Sequence, residues 1–263
     1  MNYDLARASG GRFLLRIDDL DPGRSRAEFE DAIFEDLAWL GIKWEEPVRR
    51  QSDHFGDYER ALERLEAMDL LYPCFCTRAD IAAAIGDRPD WPRDPDGSPL
   101  YPQTCRALDE EDVTRRLASG QYAARRLRMN QAVAQAASLL AWREFGEANE
   151  PRDVRAEPMQ WGDVVLARKD VPASYHLAVV VDDAEQGVTD VVRGVDLMQS
   201  TSVHRLLQVL LDLPAPDYRH HALILDAQGR KLSKSAGAPS LRELRAQGVT
   251  PEEARARAGV PHA

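Results

Sequence analysis

The sequence predicts an α/β fold with a mostly parallel sheet, into which a small cysteine-bearing module is inserted. Short β-branched runs alternate with segments of helical periodicity, which is the order of parallel strands joined by helical crossovers. Several of these runs are almost continuously apolar, as strands buried on both faces are. All three cysteines fall in one stretch rich in Pro, Asp and Gly, and this stretch marks the insertion.

The first part of the chain predicts one strand and two helices. Phe13 to Ile17 has the pattern of a short buried strand that runs into an acidic turn. Ser25 followed by Glu28 matches a capping box, so we expect a helix to begin there. A second helix is expected from Phe55 to Met68. The first helix carries its apolar residues at helical spacing, namely Phe29, Ile33, Leu37 and Leu40.

The rest of the chain alternates in the same way, and its last residues predict helix. The expected strands are "YAARRLRM", "WGDVVLARKD", the β-branched runs of "SYHLAVVVDDAEQGVTDVVRG", and "RHHALILD". The expected helices are the Ala-rich "QAVAQAASLLAWREFGEA", the amphipathic "SVHRLLQVLLDL" and the charged tail after Ser240.

Composition narrows the class of protein. Asp and Glu number 44 against 34 Lys and Arg, and this net charge of −10 argues against binding nucleic acid over the whole surface. A local basic groove remains compatible with it. No apolar run reaches the length that spans a bilayer, and residues 1–10 lack the apolar segment of a secretory signal. We therefore expect a cytoplasmic protein that does not bind a membrane.

The segment "GRKLSKSAG", Gly229 to Gly237, places Lys231 and Lys234 between glycines. Such a segment is too polar for a core, and it suits a loop that closes over a strongly anionic ligand and then releases it. Taken alone, an ordinary solvated turn is the alternative.

Three stretches, "GRFLLRIDDLDPGRS", "ASYHLAVVVDDAEQGVTDVVRGVDL" and "KLSKS", occur in this order. Each is weak alone, but together they resemble the catalytic domain of the glutamyl-tRNA synthetase group of class I aminoacyl-tRNA synthetases. The resemblance covers nearly the whole chain and implies a Rossmann-like catalytic domain. Only 29 residues follow Lys234, too few for a helical anticodon-binding region, so the chain is most similar to the short paralogues, the glutamyl-Q tRNA(Asp) synthetases.

This resemblance implies an enzyme that activates glutamate with ATP, which carries Mg²⁺, and transfers it to the queuosine base of tRNA(Asp). The implied partners are ATP, L-glutamate and queuosine-containing tRNA(Asp), and we expect a monomer. The alternatives are a truncated remnant that binds zinc, ATP or tRNA without turnover, or a fragment of a standard glutamyl-tRNA synthetase. The implied boundaries are a first catalytic part over 1–72, a zinc-binding insertion over 73–106, the remaining catalytic part over 107–240, and a helical tail over 241–263.

The resemblance also assigns site residues. Lys234 is the lysine expected on ATP, with Lys231 beside it. Asp18 is expected to hold the α-ammonium of glutamate, although the family more often has glutamate at this place. Tyr175 is expected to hydrogen-bond the substrate, and Arg193 to bind a carboxylate with its planar fork. The alternatives are a turn acid, a core tyrosine and a surface ion pair.

A zinc site is implied by the family pattern Cys-x-Cys followed by Tyr-x-x-x-Cys. Here Cys74 and Cys76 give the first half, and Tyr101 and Cys105 give the second. Zn²⁺ takes four ligands in a tetrahedron, and a tyrosine oxygen can fill the place that three thiolates leave. The alternative to a zinc site is three unrelated core thiols with a packing tyrosine. Within the zinc site, His54 is a less favoured fourth ligand. An odd, sparse set of cysteines does not indicate a disulfide framework.

The family pattern also includes a first strand and a His-x-Gly-x motif that precede the present "RIDD" strand. The "HFGD" at His54 to Asp57 comes after that strand, so it is not a substitute. We therefore expect a start upstream of Met1, and weak or no turnover from the chain as printed.

Overall fold

The computed structural model describes residues 1–21, 23, 25–136, 140–146, 149–225, 229, 231–232 and 239–259. The chain divides into two compact units. The first comprises Met1–Asp53, Val192–Asp196 and His221–Ala263, and the second comprises His54–Val191 and Leu197–His220. Among the described residues, no helix is both long enough and apolar enough to cross a membrane. The expected domain boundaries at residues 72, 106 and 240 stay a prediction.

Helices and strands alternate along the chain, as the sequence predicts. The strands are β1 (Leu14–Ile17), β2 (Glu45–Arg50), β3 (Leu71–Cys74), β4 (Ala124–Leu127), β5 (Ala141–Phe145), β6 (Pro151–Arg155), β7 (Val165–Ala167), β8 (Asp190–Gly194) and β9 (Asp217–His221). The helices are α1 (Asn2–Ala8), α2 (Ala27–Trp39), α3 (Phe55–Ala67), α4 (Arg78–Ile85), α5 (Glu110–Ala118), α6 (Met129–Ala136), α7 (Tyr175–Glu185), α8 (Thr201–Leu210), α9 (Leu241–Ala246) and α10 (Pro251–Arg257).

The first unit contains a parallel pair of strands. β1 pairs with β2, and Ile17 at the end of β1 lies opposite Arg50. The predicted strand at Phe13 to Ile17 is therefore confirmed. Because the strand ends at Ile17, the two acids that follow it, Asp18 and Asp19, lie at its carboxyl end, where ligands of α/β proteins usually bind.

α2 begins later than the predicted cap requires. Arg26 occupies its N-cap position, and the helix has no capping bond from a described side chain. Ser25 instead lies in the preceding turn, where its backbone N–H donates to the carbonyl of Asp21 at 3.0 Å. Glu28 forms an ion pair with Arg26 at 3.3 Å. The predicted capping box is therefore wrong, although the helix itself is present.

The second unit holds antiparallel as well as parallel pairs, so the expected parallel sheet is confirmed only in part. β3, β4 and β7 form an antiparallel sheet in that order. In another sheet, β5 pairs parallel with β9 but antiparallel with β6. Only residues 146–150 separate β5 from β6, which is too few for the crossover that a parallel pair needs.

α7 corrects a strand prediction. The run "SYHLAVVV" is β-branched and apolar, yet Tyr175–Glu185 is helical. Every residue from Leu177 to Asp182 is buried, so the helix lacks the one-sided apolar stripe of a surface helix. A short apolar run does not separate a buried helix from a strand, which is why the prediction fails here.

Other predictions hold in their type but not always in their extent. α3, α8 and the two helices of the tail are confirmed. The Ala-rich helix ends at Ala136 within the described residues, and "AWREF" forms β5 instead. The last predicted strand covers only Asp217–His221, so the apolar half of "RHHALILD" lies outside it.

The core of the second unit lies where α3, α7 and α8 pack together. Leu62, Leu177 and Leu206 contribute one fully buried side chain from each helix. Burial of such a side chain is worth about 1.5–3 kcal/mol. The hydroxyl of Tyr58 donates to both carboxylate oxygens of the buried Asp182, at 2.9 and 3.0 Å, and this ties α3 to α7.

Candidate functional sites

The cysteine cluster lies in the second unit, at the end of β3. Cys74 closes β3, Cys76 follows two residues later, and Cys105 belongs to the 3-10 turn Thr104–Ala107. The three sulfur atoms lie within 4.8 Å of one another. Cys76 Sγ and Cys105 Sγ are 3.4 Å apart. The fold therefore brings Cys105 next to two thiols that precede it by 29 residues or more in the chain.

Tyr101 completes the cluster. Its hydroxyl oxygen lies 3.3 Å from Cys74 Sγ and 3.4 Å from Cys76 Sγ, and it accepts the backbone N–H of Cys105 at 2.9 Å. A tetrahedral zinc with Zn–S bonds of about 2.3 Å separates its sulfur ligands by roughly 3.8 Å. The four side chains are thus already close to that spacing, and they fit a Cys₃Tyr site. His54, the less favoured ligand, instead faces Asp57 at 3.4 Å.

The surroundings of the cluster shift the pKa values of its side chains in different directions. Burial raises the pKa of the Cys76 thiol to about 11. Burial also opposes ionisation of Cys105, but hydrogen bonds from Tyr101 and from the backbone N–H of Phe75 hold the pKa of its thiol below the ordinary value. Burial and the neighbouring thiols raise the pKa of Tyr101. These surroundings favour ionisation of Cys105 and oppose that of Cys76 and Tyr101, and a divalent cation would stabilise the ionised ligands.

The lysine-bearing segment Gly229 to Gly237 belongs to the first unit, and the structure describes only part of it. Lys231 forms an ion pair with Asp196, in the 3-10 turn Val195–Leu197. The backbone is fixed on both sides, because Lys231 bridges to Leu225 and the N–H of Leu232 donates to Ile224 at 3.0 Å. Lys234, the lysine expected on ATP, lies outside the described residues. Asp196 was not among the predicted site residues, although it lies only three positions after Arg193.

Gly194 allows this arrangement. A Cβ built at this position would collide with the carboxylate of Asp196 and would lie 2.9 Å from a methyl group of Leu223. A side chain larger than hydrogen would therefore push Asp196 away from the position in which it meets Lys231. This close approach gives the glycine of "VVRG" a physical reason.

Asp18 and Arg193, two of the predicted glutamate ligands, also belong to the first unit. Asp18 accepts a hydrogen bond from Arg16 Nε at 2.9 Å, and its side chain remains 46% exposed. Arg193 lies half-buried in β8. The neighbouring Asp19 has a different role, because it accepts both the N–H and the hydroxyl of Ser52, at 2.9 and 2.5 Å, and so ties the end of β1 to the segment after β2.

Tyr175, the third predicted glutamate ligand, is the first residue of α7 in the second unit. It is 38% exposed, which excludes the alternative of a core tyrosine. Its ring lies edge-on to His176 and His204, with centroid distances of 5.9 and 5.6 Å. Its role toward a substrate stays a prediction.

The chain matches the family model of class I tRNA synthetases (E and Q), catalytic domain, over residues 1–257. It therefore belongs to this family of synthetases. Among its relatives, the glutamyl-Q tRNA(Asp) synthetase of Rhodobacter capsulatus is 45% identical over 262 residues, which cover 98% of this chain and 91% of the relative. The enzyme of that name from Nocardia farcinica is 41% identical, over 94% of this chain and 73% of the relative. The resemblance to the short paralogues, and with it the expectation of a ligase, is confirmed.

Solved structures agree on the fold. A crystal structure of the glutamate-tRNA synthetase from Elizabethkingia anophelis matches with a TM-score of 0.71 at 28% identity, over 90% of this chain. The chain spans about half of that protein, 48% of its length. The α/β fold of a class I synthetase is confirmed.

Proposed function

We propose that this protein activates glutamate with ATP and transfers the glutamyl group to the queuosine base of tRNA(Asp). The observation that carries the proposal is the 45% identity, over nearly all of both chains, to a protein named for this reaction. The paired Lys231 and Asp196 support it, because they hold one lysine of "KLSKS" next to the segment that carries Arg193.

The proposed chemistry needs positioning and charge neutralisation more than a protein nucleophile. The α-carboxylate of glutamate attacks the α-phosphorus of ATP, pyrophosphate leaves with its Mg²⁺, and a hydroxyl of queuosine then takes the glutamyl group from the adenylate. Lys231 and Lys234 neutralise the charge that develops on the leaving pyrophosphate. Arg193 holds a substrate carboxylate with its fork, and Asp18 attracts the α-ammonium. Tyr175 donates a hydrogen bond to the amino acid.

The second part of the proposal is that zinc binds the cysteine cluster. Cys74, Cys76, Tyr101 and Cys105 would hold it, and their spacing and chemistry fit a closed structural site. When bound, the ion supplies cross-linking of β3 to the Thr104–Ala107 turn. Tyr72 and Phe75 also stabilise this site, because they pack with the ligands in one buried cluster.

The transfer step is tested with radiolabelled glutamate and two preparations of tRNA(Asp), one with queuosine and one with guanosine at the same position. The proposal predicts label only on the queuosine-containing tRNA, and label that survives removal of the 3′-terminal adenosine of the tRNA before the reaction. Equal labelling of both preparations contradicts it.

A second candidate, standard glutamyl-tRNA synthesis, is favoured by the fold match to a glutamate-tRNA synthetase. It predicts that labelling is lost when the 3′-terminal adenosine is removed, because the ribose that accepts glutamate is then missing. If neither tRNA is labelled and glutamate is not activated, the remnant without turnover is the remaining reading.

A further inference from the structure

We propose that Arg126 contacts the ligands of the metal site without binding the metal itself. Its guanidinium then increases the affinity of the cysteine cluster for a divalent cation. This inference rests on the proposed zinc site and goes beyond it by assigning a residue outside the ligand pattern. Arg126 lies on β4, the strand next to β3, where it pairs in register with Tyr72. It is half-buried and lies in the same unit as the cluster.

The guanidinium contacts two of the four predicted ligands at once. Its Nε donates to Cys74 Sγ at 3.2 Å. Its central carbon stands 3.8 Å from the centroid of the Tyr101 ring, which is close cation–π stacking. A third contact fixes the group, because Nη1 donates to the carbonyl of Asp163 at 2.7 Å. The planar fork is therefore held from three directions, and its orientation toward Cys74 is set by the protein.

The charge balance explains why a cation is needed there. Three thiolates around one divalent cation leave one net negative charge when Tyr101 stays a neutral phenol. That charge is partly buried, since Cys74 is 1% and Cys105 is 6% exposed. An uncompensated charge in such a place is costly, and an N–H donated to a thiolate offsets it. Arg126 supplies both the positive charge and the donor.

A second cation supports the same turn in a different way. Lys169 donates to the carbonyl of Phe75, the residue between Cys74 and Cys76, at 2.6 Å. It holds the backbone of the Cys-x-Cys turn, whereas Arg126 contacts a sulfur atom directly. Lys169 therefore affects the shape of the turn, whereas Arg126 affects the stability of the Cys74 thiolate.

Arg126 also joins the cluster to a cavity of about 320 Å³. Tyr101, Arg126 and Asp163 line it together with Trp161 and His176. The guanidinium of Arg126 contacts a predicted metal ligand and also lines this cavity. Loss of the metal would therefore change the cavity wall through Arg126.

The chain offers a matched control on the same strand. Arg125 precedes Arg126 and is also half-buried, but its guanidinium pairs with Glu59 at 2.5 Å and with Glu66 at 3.2 Å. Successive residues of a strand point to opposite faces, so Arg125 is directed away from the sulfur atoms. Arg125→Gln removes a charge and two ion pairs from β4 without touching the cluster.

The test measures the zinc dissociation constant of the full chain by competition with a chromophoric chelator. We expect Arg126→Gln to weaken zinc binding by about 10- to 100-fold, the usual effect of losing an outer-shell partner, and Arg125→Gln to change it by less than about 3-fold. In the cobalt-substituted proteins, the thiolate-to-metal charge-transfer band should shift in Arg126→Gln only. Far-ultraviolet circular dichroism verifies that each zinc-loaded variant is folded.

The outcomes separate this inference from the proposed site. If the wild-type protein binds no zinc, the metal proposal fails and the role of Arg126 fails with it. If the wild type binds zinc and Arg126→Gln binds it equally well, only the role of Arg126 is overturned. Should Arg126→Gln not fold, Arg126→Lys decides, because lysine keeps the charge but cannot stack on Tyr101 and donate to Cys74 together. A loss of at least about 3-fold is then expected, and unchanged affinity overturns the inference.

Discussion

Each unit of the protein contains a carboxylate paired with a basic side chain, and the two pairs differ sharply in exposure. In the second unit, Glu144 on β5 meets His220 on β9 at 2.9 Å, and their side chains are 4% and 1% exposed. In the first unit, Asp196 meets Lys231 with side chains that are 35% and 55% exposed. The buried pair is fully supported, because Glu144 also accepts the indole N–H of Trp142 and the backbone N–H of His220, each at 2.9 Å.

The difference shows how the two units use polar groups. The members of a buried pair cannot exchange each other for water, so the pair fixes the strands that carry it. An exposed pair contributes little to stability and can be exchanged for a ligand. The cysteine cluster belongs with the first kind, since Cys74, Tyr101 and Cys105 are buried and lie close together with Cys76. Two of the proposed substrate ligands belong with the second kind, because Asp18 pairs with Arg16 and Lys231 pairs with Asp196, and both ligands are exposed.

The largest effect is expected from Cys105→Ser, which breaks the buried cluster. We expect zinc affinity to fall by more than about 100-fold, since a direct ligand is lost. Of the roughly 4 kcal/mol of stability that zinc confers at about a thousand dissociation constants, at least about 2.7 kcal/mol should be lost. Elemental analysis and thermal unfolding measure the two effects, with the exposed neighbour Thr104→Ser as control. Unchanged metal content would remove Cys105 from the ligand set.

The next largest effect is expected from Lys231→Met in the exposed region. Loss of a cation that acts on the developing charge should slow glutamate-dependent pyrophosphate exchange by about 100- to 1000-fold, or about 3–4 kcal/mol. The unfolding free energy should barely change, because the lysine is exposed. Lys43→Met, also exposed in the first unit, is the control. If both variants retain the wild-type exchange rate, Lys231 has no part in activation.

A smaller effect is expected from acidification, and it separates the buried pair from the exposed one. Burial opposes ionisation of Glu144, but hydrogen bonds from Trp142 and His220 outweigh it and hold the pKa of this carboxyl below its ordinary value. The unfolded chain then binds the proton more readily, so the stability that Glu144 contributes is present above its ordinary pKa and is lost as the pH falls through the lowered one.

Urea unfolding at a series of pH values measures this loss. Glu144→Gln should cost about 3 kcal/mol at neutral pH and should flatten the acid part of the profile. A variant whose profile parallels that of the wild type would show that the buried pair does not carry the acid sensitivity.

The smallest effect is expected from Asp196→Asn. An exposed ion pair contributes less than about 1 kcal/mol, so the unfolding free energy should change by no more than this. Under the proposed function, Asp196 competes with ATP for Lys231, and its loss should lower the KM for ATP by up to about 5-fold. Initial-rate kinetics decide the matter. A rise in KM of more than tenfold would instead mean that Asp196 positions Lys231 for the nucleotide.

The sequence predicts the cysteine cluster well because its pattern is local. Cys74, Cys76, Tyr101 and Cys105 lie within one short module, where the family pattern implied by the resemblance matches them. The lysines of "KLSKS" stand out for another reason. The chain has only four lysines among its 34 basic residues, and two of them are in this pentamer. A chain that otherwise relies on arginine therefore places lysine where a compact charge on a flexible stem is useful.

The remainder could not be predicted, because it depends on contacts that are distant in the sequence. Arg126 and Cys74 are 52 positions apart, and Glu144 and His220 are 76 apart. A single sequence contains no periodicity that links such pairs. α7 was missed for a related reason, since its stability as a helix depends on packing against α3, α8 and β7. The roles of Asp18, Tyr175, Arg193 and Lys234 in substrate binding stay predictions.

The most direct test of the central claim is the exchange of radiolabelled pyrophosphate into ATP, in the absence of tRNA, by the purified protein including any residues upstream of Met1. The claim is that the exposed charged groups of the first unit serve the activation of an acidic amino acid. It predicts exchange above background with glutamate, and background exchange with glutamine and with aspartate. Exchange that is absent at every glutamate concentration, or equal for the three amino acids, would contradict it.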